Sequence, residues 1–258
     1  MQCPQDQRWG GAGKVAHTMA EKQRPCVIIA IDGPSGAGKS TAAQRLARLL
    51  GYRYVDSGAL YRAVGWLVCE YALPLEDPAA IVACLQRTPI ELRFPNGTLQ
   101  VWVAGQCVTS RLRGEAVAHT ASAVATMPGV RQVVTVRLRQ IGCEADVVMA
   151  GRDIGTVVFP DATVKFFLDA SPTVRGQRRL QEIQQDGNTA TLGQVVEAMA
   201  RRDSQDRARA TAPLVRSPDA RTIDTTDLTV DEVVGTMLSE IRCALPWRGD
   251  ATGGAHGG

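Results

Sequence analysis

The stretch Val27-Ile28-Ile29-Ala30-Ile31-Asp32-Gly33-Pro34-Ser35-Gly36-Ala37-Gly38-Lys39-Ser40-Thr41 decides how the rest of the chain is read. Val27 to Ile31 is a β-branched run, apolar on both sides, as a central parallel strand requires. Gly33 to Ser40 fits the spacing G-x-x-x-x-G-K-[ST]. From Lys39 a helix is expected, with Ala43, Leu46, Ala47 and Leu50 on one face and Gly51 as its stop. Strand, loop and helix in that order make a phosphate cradle. Glycines let backbone N–H groups close around phosphate oxygens, and the positive end of the helix adds a favourable field. Gly33, Pro34, Ser35, Gly36, Ala37, Gly38, Lys39, Ser40 and Thr41 are therefore the candidate triphosphate-binding set. Lys39 supplies a mobile charge near the β- and γ-phosphates, and the Ser40 hydroxyl is the candidate Mg²⁺ ligand.

Working outward, Tyr52–Val55, Asp146–Met149, Val164–Leu168 and Arg221–Ile223 read as further strands separated by helical pattern. Leu60, Val64, Leu67, Val68 and Tyr71 mark one of the helices. Such alternation predicts a three-layer α/β fold around a parallel sheet. One segment departs from it. Ile90, Leu92 and Phe94 alternate with polar residues, Pro95-Asn96-Gly97 signals a turn, and Leu99, Val101 and Val103 alternate again before Gly105. A small antiparallel β meander is expected there, inserted at about 89–112.

Composition narrows the function. Apolar residues make up 45% and charged residues 21%, as in ordinary globular chains. A net charge of +3 is too small to make nucleic acid the main partner. No apolar run approaches the roughly 18 residues that read as a membrane span. The N-terminus lacks the apolar centre of an export signal, and the seven cysteines show no C-x-x-C pair or metal spacing. A cytoplasmic chain with free thiols is expected. Residues 1–24 and 246–258 read as flexible segments flanking a domain at 25–245. The phosphate loop alone does not choose a reaction, although the absence of N-K-x-D counts against a GTPase.

Three later motifs do choose. Asp56-Ser57-Gly58-Ala59-Leu60-Tyr61-Arg62, then Gly151-Arg152-Asp153-Ile154-Gly155-Thr156-Val157-Val158-Phe159-Pro160-Asp161, then Arg202-Asp203 through Asp206-Arg207-Ala208-Arg209 together resemble the bacterial cytidylate kinases, in the same order. The resemblance runs from about Val27 to Leu245 and includes the β meander. It implies an enzyme that moves the γ-phosphoryl group of ATP to CMP or dCMP with Mg²⁺, giving CDP or dCDP and ADP. It implies a monomer with a monophosphate-binding region at 57–131 and a lid at 172–212, without nucleic-acid or membrane partners. By motif, Ser57 and Arg62 resemble residues that hold the acceptor, and Arg152 one that holds its phosphate. Ser122, Arg131 and Asp153 correspond to groups facing cytosine. Arg202, Asp206 and Arg209 correspond to lid residues on ribose and phosphates, and Arg179 to a contact with the ATP phosphates. Lys39, Arg152, Asp153, Arg202 and Arg209 are the implied catalytic set. Two positions depart from the family pattern. Ala150 stands where an acid is common, leaving Asp32 as the substitute carboxylate near Mg²⁺, and Gln205 stands where an arginine can occur.

The residues support a similar reading by themselves. Val195, Met199, Arg202, Asp206 and Arg209 share one helical stripe that starts apolar and turns ionic. Guanidinium forks are suited to charge spread over phosphoryl oxygens. The competing readings are a kinase for another small acceptor, such as UMP or shikimate, and a catalytically silent nucleotide-binding regulator. The Ser122, Arg131 and Asp153 set argues against the first, and an intact Lys39, Ser40 and lid arginines against the second.

Overall fold

The computed structural model describes residues 25–185, 187 and 189–245; the expected flexible segments at 1–24 and 246–258 lie outside the described residues. β1 (Ile28–Asp32), β2 (Arg53–Asp56), β6 (Val147–Ala150), β7 (Val164–Asp169) and β8 (Arg221–Asp224) form one sheet in the order β2-β6-β1-β7-β8. Every pairing in it is parallel. All of β1 is buried, in keeping with its unbroken apolar sequence. Successive side chains leave a strand on opposite faces. Ile28, Ala30, Val147 and Met149 accordingly join one core, while Ile29, Ile31, Val148 and Ala150 join the other. The first core is closed by α2 (Ser57–Glu70), α4 (Glu115–Val124) and α5 (Pro128–Glu144). The second is closed by α1 (Lys39–Leu50) and α8 (Val230–Ala244). Full burial of a side chain such as Ile29 or Leu168 contributes about 1.5–3 kcal/mol, which makes this double-sided packing the main source of rigidity.

All five strands end one residue later than hydrophobicity predicts, β6 at Ala150 and the other four at an acid: β1 at Asp32, β2 at Asp56, β7 at Asp169 and β8 at Asp224. The ladder continues through these polar positions, pairing Asp32 with Phe167 and Asp169 with Asp224 in register. A pattern of apolar residues stops where the sheet meets solvent, whereas backbone hydrogen bonding does not. The carboxyl edge of the sheet therefore carries a row of acids.

The meander is present as β3 (Ile90–Arg93), β4 (Gln100–Val103) and β5 (Gln106–Cys107), antiparallel throughout, with the turn at Pro95–Gly97. Its buried Val101 and Val103 join the α2/α4 core. It follows α3 (Pro78–Arg87), whose start is set by the Asp77 carboxylate accepting from the Ala80 amide at 2.9 Å. Two further helices, α6 (Pro172–Gln185) and α7 (Leu192–Ala208), lie between β7 and β8. Thr191 and Gln194 form a reciprocal capping box that starts α7.

Helices α2 and α4 touch at Gly65. A Cβ there would sit 2.8 Å from both the Ala121 amide nitrogen and the Val117 carbonyl oxygen. These are backbone atoms, so relief requires the helices to separate. Gly65→Ala should lower unfolding free energy by about 1–3 kcal/mol, measurable by urea denaturation. Because α4 carries Ser122, a stability loss with no change in any small-molecule affinity at the cleft described next would show that α4 does not position that site.

Candidate active site

The carboxyl edge of the sheet opens into a cleft of about 800 Å³, within the range of small-molecule sites. Such an edge is where open α/β sheets bind ligands. Ser35, Gly36, Lys39, Ser40, Ser57, Arg62, Ser122, Arg131, Arg152, Asp153, Arg179, Arg202, Asp206 and Arg209 all line it. Of the expected set, Gly33, Pro34, Ala37, Gly38 and Thr41 do not. Ala37 is fully buried beneath the loop, and Thr41 is exposed on α1.

On the side of the glycine-rich loop, Lys39 is buried, and its ammonium donates to the Pro34 carbonyl at 2.6 Å. Burial, and then the nearby Arg152 charge, push the Lys39 pKa well below its ordinary value. An anion in the loop would oppose this shift by its charge. Gly36 has φ 73°, and a Cβ there would lie 2.8 Å from the Arg175 carbonyl oxygen and 2.9 Å from Met199 Cε. Only glycine meets both demands, because α6 and α7 pack directly on the loop.

On the other side, α2 begins at Asp56, whose Oδ1 accepts from the Gly58 amide at 2.9 Å and whose Oδ2 accepts from Arg62 at 2.7 Å. Ser57 is buried and donates to the Ala150 carbonyl at 3.0 Å. Arg131, on α5, pairs with Asp153 in a buried contact, donates to the Ala125 carbonyl at 3.1 Å, and lies over the Tyr61 ring at 5.5 Å. Burial raises the Asp153 pKa, and Arg131 opposes that rise. Arg152 Nε donates to Asp206 at 2.9 Å, and Arg152 Nη2 donates to the Ser35 hydroxyl at 2.6 Å. The other Asp206 oxygen accepts from Arg209. Both Asp206 oxygens are thus shared between the Arg-Asp loop after β6 and the end of α7. Arg179, more exposed, pairs with Glu182 at 2.7 Å.

Asp32 is held by the backbone. Its two carboxylate oxygens accept from the Ile154 and Gly155 amides at 2.8 and 2.7 Å, and the side chain is buried. It holds the turn after Arg152-Asp153 and does not line the cleft. Ala150 itself lines the cleft with no carboxylate to offer.

Residues without a sequence-derived role also build the site. Arg175 on α6 donates to the carbonyls of Ser35 and Ala170, each at 3.1 Å, and pairs with buried Asp203. Arg178 donates to Thr225 Oγ1 and to the Thr225 carbonyl at 2.9 and 2.7 Å, while Thr225 donates to the Ala37 carbonyl at 3.2 Å. The signal that could have found them is the spacing of Arg175, Arg178 and Arg179 on a helix directly after a strand.

Comparison with known proteins is consistent along the chain. The cytidylate kinase family profile matches residues 29–243. A cytidylate kinase of Geobacillus kaustophilus is 46% identical over 82% of this chain and 95% of its own length. One from Bacillus licheniformis is 44% identical over 82% of this chain and 94% of its own length. Among solved structures, a shikimate kinase of Acinetobacter baumannii covers 87% of the chain and 96% of its own at 18% identity and a TM-score of 0.40, too distant to argue about an acceptor.

The Asp32 geometry has a thermodynamic signature. Burial, more than the opposing backbone bonds, raises its pKa from 3.8 to about 6, with Asp153 adding to the rise and Lys39 opposing it. A carboxyl with a raised folded-state pKa binds its proton more tightly folded than unfolded. Its contribution is therefore largest below the unfolded value and is lost as pH climbs through about 6. The stability of the wild type relative to Asp32→Asn should fall by roughly 3 kcal/mol between pH 3.8 and pH 7.5. Urea titrations of both proteins across that range test this; a difference independent of pH would mean that Asp32 has ordinary acidity.

Proposed function

The chain belongs to the cytidylate kinase family, and from that premise we propose that it transfers the γ-phosphoryl group of ATP to CMP or dCMP. The products are CDP or dCDP and ADP. The observation that carries the reading is one cleft in which the phosphate loop, with Lys39, faces the Arg131–Asp153 pair and Ser122. A kinase for UMP or shikimate and a silent regulator are not favoured.

In this reading an oxygen of the acceptor phosphate attacks the γ-phosphorus in line. The bond to the β–γ bridging oxygen breaks, and ADP leaves. Charge spreads over the transferred group's oxygens, and positioned cations stabilise it without a covalent intermediate. Lys39 and Arg179 serve the ATP phosphates, and the backbone of Gly33 to Ser40 cradles them. Ser57, Arg62 and Arg152 hold the acceptor phosphate. Arg202 and Arg209 add charge from the lid, and Asp206 accepts from ribose hydroxyls. The Ser40 hydroxyl is an exposed hard oxygen donor at the cleft, which suits Mg²⁺ held mostly by phosphate oxygens and water. When bound, Mg²⁺ would neutralise β- and γ-phosphate charge.

Cytosine choice falls to the buried groups. The exocyclic amino group of cytosine donates where uracil presents a carbonyl oxygen. An ionised Asp153 accepts from that amino group and repels uracil, Ser122 takes its second hydrogen, and donor-only Arg131 meets the ring's acceptor edge. Arg131 also balances the Asp153 charge within a buried setting. Residues 57–131 then form the monophosphate-binding region and 172–212 the lid. Six cysteines are free among the described residues, consistent with a reducing, cytoplasmic setting.

Two substitutions test the scheme. Lys39→Ala should cut kcat for CMP by about 100-fold or more with the circular-dichroism spectrum unchanged. Activity above about a tenth of wild type would remove Lys39 from its role. Asp153→Asn presents an amide that can turn to donate. It should narrow the CMP-over-UMP ratio of kcat/KM by at least about tenfold while the KM for ATP stays within about twofold. An unchanged ratio would show that Asp153 does not read the base.

A further inference from the structure

Ser35, in the phosphate loop, is tied at both of its polar ends. Its carbonyl accepts from Arg175 at 3.1 Å and its hydroxyl from Arg152 at 2.6 Å. Arg175 continues to Asp203, and Arg152 continues to Asp206 at 2.9 Å. Asp203 and Asp206 are three residues apart on α7, so they share a face. The contacts therefore close a ring. It runs from the Ser35 carbonyl through Arg175, Asp203, a turn of α7, Asp206 and Arg152 back to the Ser35 hydroxyl.

The two halves of the ring have different duties. Ser35 belongs to the loop assigned to ATP, and Arg152 and Asp206 to the acceptor. Arg175 and Asp203 do not line the cleft, yet both are buried. Asp203 Oδ1 is also buried with no hydrogen-bond partner among the described residues, and its charge reaches Lys39. Stability alone is a poor reason for such a pair, since an apolar replacement would often be as stable. The loop also packs directly on both helices, because Gly36 leaves no room between the loop and either Arg175 or Met199.

We propose that Arg175 and Asp203 are positioning residues that couple the two nucleotide sites, so that each nucleotide tightens the other. This rests on the kinase reading above. An acceptor phosphate draws Arg152 to itself and releases the Ser35 hydroxyl, while Arg175 keeps the Ser35 carbonyl in place. The loop then meets ATP with one tether fewer, and Asp203 carries the settled position of α7 to the loop. By linkage, ATP must tighten the acceptor by the same factor.

The test is calorimetry with a non-hydrolysable ATP analogue, with and without saturating CMP, on the full chain. For the wild type, CMP should lower the Kd of the analogue by about fivefold or more. In Arg175→Lys, which lacks the fork needed to reach both Ser35 and Asp203, and in Asp203→Asn, that ratio should fall towards one. The Kd for the analogue alone should stay within about threefold of wild type. A merely structural pair would lower Tm and leave the ratio intact. Should either variant fail to fold, Ser35→Ala removes the other arm of the ring at a small residue, and the ratio must fall there too. A wild-type ratio of one, or an unchanged ratio in a folded variant, overturns the proposal. Failure of the wild type to bind or turn over CMP is a separate outcome that would overturn the kinase reading and this proposal with it.

Discussion

Cations gathered to hold phosphates repel one another when no phosphate is present, and burial deepens that penalty because water no longer screens them. This fold answers with carboxylates placed opposite single arginines or shared between two. Asp153 faces Arg131, Asp203 faces Arg175, and Asp206 lies between Arg152 and Arg209. Lys39 and Arg178 lean instead on neutral groups, the Pro34 carbonyl and Thr225. Three of these carboxylates are almost wholly buried, so removing the cation opposite any one would leave a charge stranded out of water. The pairing ties α6 to α7, and α7 to the loop after β6.

The sheet makes the pairing geometrically available. Its strands are all parallel, so their carboxyl ends share an edge, and the loops leaving β1, β2, β6 and β7 converge there. Rigid apolar layers on both faces keep that edge still. Asp32 then transfers the rigidity of β1 to the loop after β6 through two amide bonds. The turn that carries Arg152 and Asp153 is thereby held beside the phosphate loop. Positioning of this kind matters for phosphoryl transfer, where alignment and charge compensation supply most of the rate.

Much of this was legible from residue order. The phosphate loop, the five strands, the meander and the ionic stripe of α7 all follow from local pattern, because a strand, a turn and an amphipathic helix are set by neighbours in sequence. The legible part frayed where polarity and backbone structure diverge. Strand ends at Asp32, Asp56, Asp169 and Asp224 were read short, since hydrophobic pattern cannot see a ladder that continues under an acid. Arg175 and Arg178 went without a role for a related reason. Their partners include the carbonyls of Ser35 and Thr225, and backbone acceptors have no signature in a side-chain pattern.

Residue order by itself determined the fold class, the phosphate cradle and the family, because each depends on short spacings that chance seldom reproduces together. Tertiary structure alone decided which charge meets which. Asp32 is ordinary as a letter after a strand; only the approach of Ile154 and Gly155 turns it into a backbone clamp with its pKa raised to about 6. Asp203 and Asp206 look alike on one helix face, yet one meets Arg175 and the other is shared by Arg152 and Arg209. The energy of a charge depends on its distance from other charges and on how much water has been removed around it. Neither quantity exists until the chain has folded.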